Sequence, residues 1–99
     1  MKQKTLRIRS EAREEIDAAF EWYFERSPKA ADAFLAEIDI SFAQIVSHPQ
    51  LYPSFTKNTR RRVLERFPYS VIFQEKDDII LVIAIAAAKR RFGYWRRRI

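Results

Sequence analysis

Cysteine is absent, and histidine and glycine occur once each among the 99 residues. Each scarcity removes a class of chemistry. Without cysteine there is neither a disulfide scaffold nor a thiol nucleophile, and with His48 the sole histidine a zinc site lacks its usual ligands. No metal or cofactor is expected. The lone glycine, Gly93, excludes the glycine-rich loops that cradle phosphates. The longest apolar run, Ile79 to Ala88, falls well short of the roughly 20 residues of a membrane span. The opening MKQKTLRIRSEAREE alternates charge and has no apolar core, so no signal peptide is read there. A soluble, cytoplasmic protein without membrane contact is the expectation. The length fits one domain, residues 1–99, burying roughly two thirds of its unfolded surface.

Charge is unevenly placed. Residues 1–50 hold seven Lys/Arg against nine Asp/Glu, and residues 51–99 hold twelve against four, giving halves of −2 and +8. One cluster is Lys57, Arg60, Arg61, Arg62 and Arg66; the other is Lys89, Arg90, Arg91, Arg96, Arg97 and Arg98. Such polarity points to an anionic partner, either nucleic acid or an acidic protein segment.

Periodicity predicts the elements. Lys4 to Arg9 alternates polar and apolar residues, which predicts a short strand with Leu6 and Ile8 inward. Ser10 is positioned to cap a helix whose apolar stripe is Ala12, Ile16, Ala19, Phe20, Tyr23 and Phe24. Ser27-Pro28 is a restart signal, a cap residue followed by proline at the first helical position. The second helix carries Ala31, Phe34, Leu35, Ile38, Phe42, Ile45 and Val46 and should stop at His48-Pro49. Strands are predicted over Arg61–Phe67, Tyr69–Glu75 and Ile79–Ala86, with turns at Pro68 and at Lys76-Asp77-Asp78. The last strand has no alternation, so both its faces should be covered. The expected architecture is α+β, in the order β-α-α-β-β-β. An antiparallel sheet carries a helical hairpin on one face, and the N-terminal strand lies on the far side of the final one.

Catalytic signatures are sparse. His48 sits at a helix C-terminus, where dipole electrostatics alone account for it, and neither Ser54 nor Ser70 sits in a nucleophile elbow. Asp77-Asp78 reads as turn chemistry. Arginines and a tyrosine could still stabilise and protonate a phosphoryl centre, and Arg60, Arg61, Arg62, Arg66, Lys89, Arg90, Arg91 and Tyr94 are of that type. The tail Arg90-Arg-Phe-Gly-Tyr-Trp-Arg-Arg-Arg98 equally suits stacking on single-stranded nucleic acid or anchoring a protein interface. Packing of Tyr94 and Trp95 against the sheet is the plainer expectation. Trp22 falls off the stripe of its helix and so is a candidate partner contact, with burial at the stripe's edge the plainer expectation.

These elements carry a resemblance. Ala30-Ala-Asp-Ala-Phe34 with Ile38, His48-Pro-Gln-Leu-Tyr-Pro53, Arg61-Arg-Val-Leu-Glu-Arg-Phe-Pro-Tyr-Ser-Val-Ile-Phe73, Ile83-Ala-Ile-Ala86 and Arg90-Arg-Phe-Gly-Tyr-Trp-Arg97 occur in order along the chain. Together they resemble the RelE/ParE superfamily of type II toxins, and the ParE branch more closely. The resemblance implies a toxin that inhibits DNA gyrase, and so replication, without a catalytic site of its own, and that a cognate ParD-like antitoxin neutralises by direct binding. With six cations and three aromatics in ten residues, the tail is expected to supply the target contacts, Lys89, Arg90, Arg91, Tyr94, Trp95, Arg96, Arg97 and Arg98. The first basic cluster and the off-stripe tryptophan are expected to supply antitoxin contacts, Trp22, Arg60, Arg61, Arg62 and Arg66. RelE-like relatives cleave messenger RNA on the ribosome; on that alternative Arg61, Arg90 and Tyr94 would be the catalytic residues. A degenerate toxin that only binds its antitoxin is the third reading, because Ala84-Ile-Ala-Ala87 stands where ParE-like relatives commonly end in Ala-x-Ala-His. Direct nucleic-acid contact and self-association of the free toxin stay open alongside.

Overall fold

The computed structural model describes residues 4–56 and 58–99, so Lys57 of the first basic cluster lies outside the described residues. Strand β1 is Thr5–Ile8, helix α1 is Ser10–Arg26 and helix α2 is Pro28–Ser47. Strands β2, β3 and β4 are Arg60–Val63, Tyr69–Lys76 and Ile79–Ala87. They form one sheet in the order β1-β4-β3-β2. No helix among the described residues is long and apolar enough to cross a membrane.

Ser27 separates the helices as its chemistry requires. Its backbone is extended, and its Oγ accepts a hydrogen bond from the Ala30 amide at 3.2 Å, while Pro28 occupies the first helical position. His48 closes α2, its N–H donating to the Gln44 carbonyl ahead of Pro49. The expected cap at Ser10 is not formed. Arg9 holds the cap position, and Ser10 is already helical, because the Arg9 amide is committed to the Val82 carbonyl at 3.0 Å and turns the chain one residue earlier.

The expected antiparallel sheet is in fact mixed. The β2–β3–β4 meander is antiparallel, but β1 pairs in parallel with β4, Thr5 opposite Ile79 through Ile8 opposite Val82. An antiparallel neighbour needs only a turn, whereas a parallel one is reached through a crossover. Here the crossover is the helical hairpin together with β2 and β3, and no local turn fixes the direction of β1. The predicted strand over Arg61–Phe67 is also shorter, ending at Val63. The Glu37 carboxylate takes the amides of Glu65 and Arg66 and diverts the chain from the ladder.

The helices cover one face of the sheet. Ala12, Ile16 and Ala19 of α1 and Phe34, Ile38 and Ile45 of α2 pack on Val71, Phe73, Ile80, Val82 and Ile85. Phe34 is enclosed by the rings of Tyr23, Phe67 and Tyr69, with centroids 5.5 to 5.6 Å away. The buried arc of α1 is centred on Ala12, Ile16, Ala19 and Tyr23. Phe24, predicted within the stripe, lies one helical step beyond Tyr23, is 51% exposed and stacks on Phe20.

Strand β4 switches faces partway. Ile72 pairs with Ala84 and Phe73 with Val82, so Ile83 is an extra residue, a bulge. Ile80, Val82 and Ile85 therefore face the helices, while Ile83, Ala84 and Ala86 face the other side with Ile72 and Trp95. That second face is covered by the C-terminal tail and by Phe55, as the unbroken apolar run of β4 requires. Phe34→Ala should destabilise the protein by about 3–5 kcal/mol, and the half-buried Phe42→Ala by less, as measured by urea unfolding.

Candidate functional site

The tail beyond β4 turns twice on itself. Tyr94 N–H donates to the Arg91 carbonyl and Arg96 N–H to Gly93, whose φ of +80° suits glycine. A Cβ at Gly93 would lie 2.9 Å from the Arg96 Nε. This turn drives Trp95 onto the sheet, where it is 3% exposed and stacks on Phe55 with centroids 5.5 Å apart. Phe92 packs edge-on against both rings and stays 57% exposed.

Cations decorate this aromatic layer. The Arg61 guanidinium lies 4.2 Å from the Phe55 ring centroid, Arg90 4.0 Å from Tyr94 and Arg96 5.3 Å from Phe92. Lys89, Arg90, Arg91, Arg96 and Arg97 form no salt bridge among the described residues, and all five are exposed. Arg98 differs from its neighbours. Its Nη1 and Nη2 meet the two Glu15 oxygens at 2.9 and 3.1 Å, a bidentate pair with both side chains largely buried.

Tyr94 is similarly committed, its hydroxyl donating to Glu15 Oε2 at 2.6 Å. Burial, and then the Glu15 carboxylate, push the phenol well above its ordinary value of 10.0. The eight residues expected to meet a target thus fall into two groups. Lys89, Arg90, Arg91, Arg96 and Arg97 present their charges outward, whereas Tyr94, Trp95 and Arg98 anchor the tail.

The residues expected to meet an antitoxin occupy several features. Arg61 pairs with Ile72 and lies on the tail side. Arg60 and Arg62 flank Tyr52, the first donating to its carbonyl at 2.7 Å and the second to its hydroxyl at 3.3 Å. Arg62 and Arg66 also line a shallow depression against Ala33, Glu37, Ile40 and Gln44 of α2.

Trp22 joins the tail instead. It is 50% exposed, its ring lies under the Arg26 guanidinium at 3.7 Å, and it edges an open groove of about 430 Å³ between α1 and the end of β4. Ala18, Ala19, Tyr23, Tyr69, Ile85 and Ala87 line the groove, Lys89 and Arg90 border it, and Glu15 and Tyr94 are part of its wall. The groove could not be read from sequence, since its walls come from positions about 70 residues apart. Ala87, the departure noted in the final strand, is one of its lining residues.

These features define a small basic domain with an apolar groove bordered by a charged face. Comparison with known proteins gives the family. Residues 6–92 match the family described as "ParE toxin of type II toxin-antitoxin system, parDE", and the chain belongs to it. No curated protein matches the chain. Among solved structures, one described as "Chromosomal ParDE TA system from P. aeruginosa" shares the fold. It has a TM-score of 0.70 and 23% identity, and the match covers 88% of this chain and 98% of that one.

The Tyr94 geometry has a consequence for stability. A phenol raised on folding contributes stability that is intact below its unfolded value and is lost as pH climbs through the folded one. The stability difference between the wild type and Tyr94→Phe should therefore be constant from about pH 6 to 9 and shrink above about pH 10, read from melting temperatures across that range.

Proposed function

We propose that this ParE-family toxin inhibits DNA gyrase through its C-terminal face, and that a ParD-type antitoxin silences it by laying an acidic, partly apolar segment along the α1–β4 groove. The observation that carries this reading is the outward set of Lys89, Arg90, Arg91, Arg96 and Arg97 on a rigid aromatic base, adjoining an apolar groove. Cations at a partner's edge steer and orient association, while apolar burial supplies the affinity. Family membership supports the antitoxin pairing, and the groove's composition matches it. Its lining is alanine and aromatic, its border is Lys89 and Arg90, and Trp22 stands at its edge as an anchor.

Ribosome-dependent RNA cleavage is disfavoured on two grounds. Tyr94 would have to move a proton, yet its hydroxyl is already held by Glu15 and its acidity is suppressed by burial. Helix α1 is acidic, carrying Glu11, Glu14, Glu15, Asp17, Glu21 and Glu25 against Arg13 and Arg26, a net negative charge unfavourable to RNA. A degenerate toxin would keep the groove and lose the action on the target. The same assay separates it from an active one.

Supercoiling by purified gyrase, read on a gel for trapped breaks, tests the reading. The toxin should inhibit and leave cleaved DNA, and Arg96→Ala/Arg97→Ala should lower potency about tenfold, equivalent to roughly 1.4 kcal/mol of contact. Arg98 is left in place, because its removal would break the Glu15 pair and disturb the tail. Folded protein that leaves gyrase untouched would sink the target assignment.

A further inference from the structure

Glu15 lies in an acidic helix at the flank of its buried arc, three residues after Ala12 and four before Ala19, and its carboxylate is saturated. Oε1 accepts from the Ile85 amide at 3.0 Å and from Arg98 Nη1 at 2.9 Å. Oε2 accepts from the Tyr94 hydroxyl at 2.6 Å and from Arg98 Nη2 at 3.1 Å. Its position relative to the sheet explains the pattern. Strand β1 ends at Ile8, opposite Val82, immediately before the Ile83 bulge. Beyond that point the outer edge of β4 has no neighbouring strand among the described residues, and side chains serve it instead. Glu15 takes the Ile85 N–H, Arg98 Nη1 donates to the Ile83 carbonyl at 3.2 Å, and the Tyr94 hydroxyl approaches the Ile85 carbonyl at 3.5 Å.

The tail has little other polar anchorage. From Arg91 onward its backbone hydrogen bonds stay within the tail. Its side-chain hydrogen bonds to the rest of the described protein all end at Glu15 or at the two carbonyls beside it. Trp95 adds stacking, but its indole N–H is buried without a partner among the described residues. One carboxylate therefore joins α1, the uncovered edge of β4 and the two polar anchors of the tail, Tyr94 and Arg98.

We propose that Glu15 is the positioning residue of this toxin, fixing the C-terminal tail on the sheet so that Lys89, Arg90, Arg91, Arg96 and Arg97 meet the target as a preformed surface. The proposal rests on the reading of the tail as the target-engaging face. A docked tail binds without first being ordered, whereas a released one must lose its freedom on binding. Glutamine at position 15 keeps the size of the side chain but removes the charge and one of the two acceptor oxygens, so Arg98 loses its bidentate partner.

The test compares Glu15→Gln with Ile45→Val, a change in the fully buried helical core remote from the tail, chosen to lower the melting temperature without touching the tail. Tail docking is read from Trp95 emission in a Trp22→Phe background, and potency from growth arrest on induction in chains that keep Trp22. Glu15→Gln should shift Trp95 emission to the red and lose at least about tenfold in potency. Ile45→Val should keep both, and Tyr94→Phe, which removes one of the four bonds, should fall between. Unchanged Trp95 emission in Glu15→Gln overturns the proposal. A released tail with full potency also overturns it, and Arg96→Ala/Arg97→Ala then shows how much else falls. Lost potency in that variant leaves the tail reading standing, whereas full potency removes the tail reading as well. Should Glu15→Gln fail to fold, Tyr94→Phe and Arg98→Met apply the same comparison from the other side of the clamp.

Discussion

A strand that is apolar along its whole length has to be covered on both faces, and its backbone has to find hydrogen-bond partners on both edges. Strand β4 sets these demands, and the rest of the molecule answers them. The helical hairpin covers one face, and the tail with Phe55 covers the other. Strand β3 serves one edge along the full length, while β1 serves the other only as far as Val82. The remainder of that edge falls to Glu15, Tyr94 and Arg98. The bulge at Ile83 links these solutions, because it sends Ile83 and Ala84 to the tail side while returning Ile85 to the helices.

Charge and burial divide the basic tail between two tasks. Arg98 is as cationic as Arg96 and Arg97, but it is spent on a largely buried ion pair, where its worth is to hold position. Its neighbours Arg96 and Arg97 keep their charges in solvent. Beside them lies the apolar groove, with half-exposed Trp22 at its edge among small side chains. A helix rich in glutamate and a tail rich in arginine are thus joined at one buried pair and otherwise face solvent as separate surfaces.

Much of the fold was legible because it depends on local chemistry. Ser27-Pro28 stops one helix and starts the next through a side-chain cap and a fixed φ, and His48-Pro49 ends α2 for the corresponding reason. The face coverage of β4 follows from its lack of alternation. The parallel direction of β1, the bulge and the short β2 were not legible, since each depends on groups distant in sequence, such as Glu37 meeting Glu65 and Arg66. The site was legible as a list of cations but not as an arrangement. Nothing in Arg96-Arg-Arg98 distinguishes the residue that anchors from the two that do not, and Trp22 joins the tail only across the groove.

The sequence by itself determined the elements, the two apolar helix stripes, the polarised charge and the resemblance to a toxin family, because periodicity, caps and composition act over a few residues. Tertiary structure alone decided which charges are free. A carboxylate on a helix is solvated or buried according to what the rest of the chain places beside it, and Glu15 meets Ile85, Tyr94 and Arg98 across separations of 70 to 83 residues. No local pattern encodes that meeting. It arises because β4 needs a partner for its last edge groups and the returning tail brings one within reach.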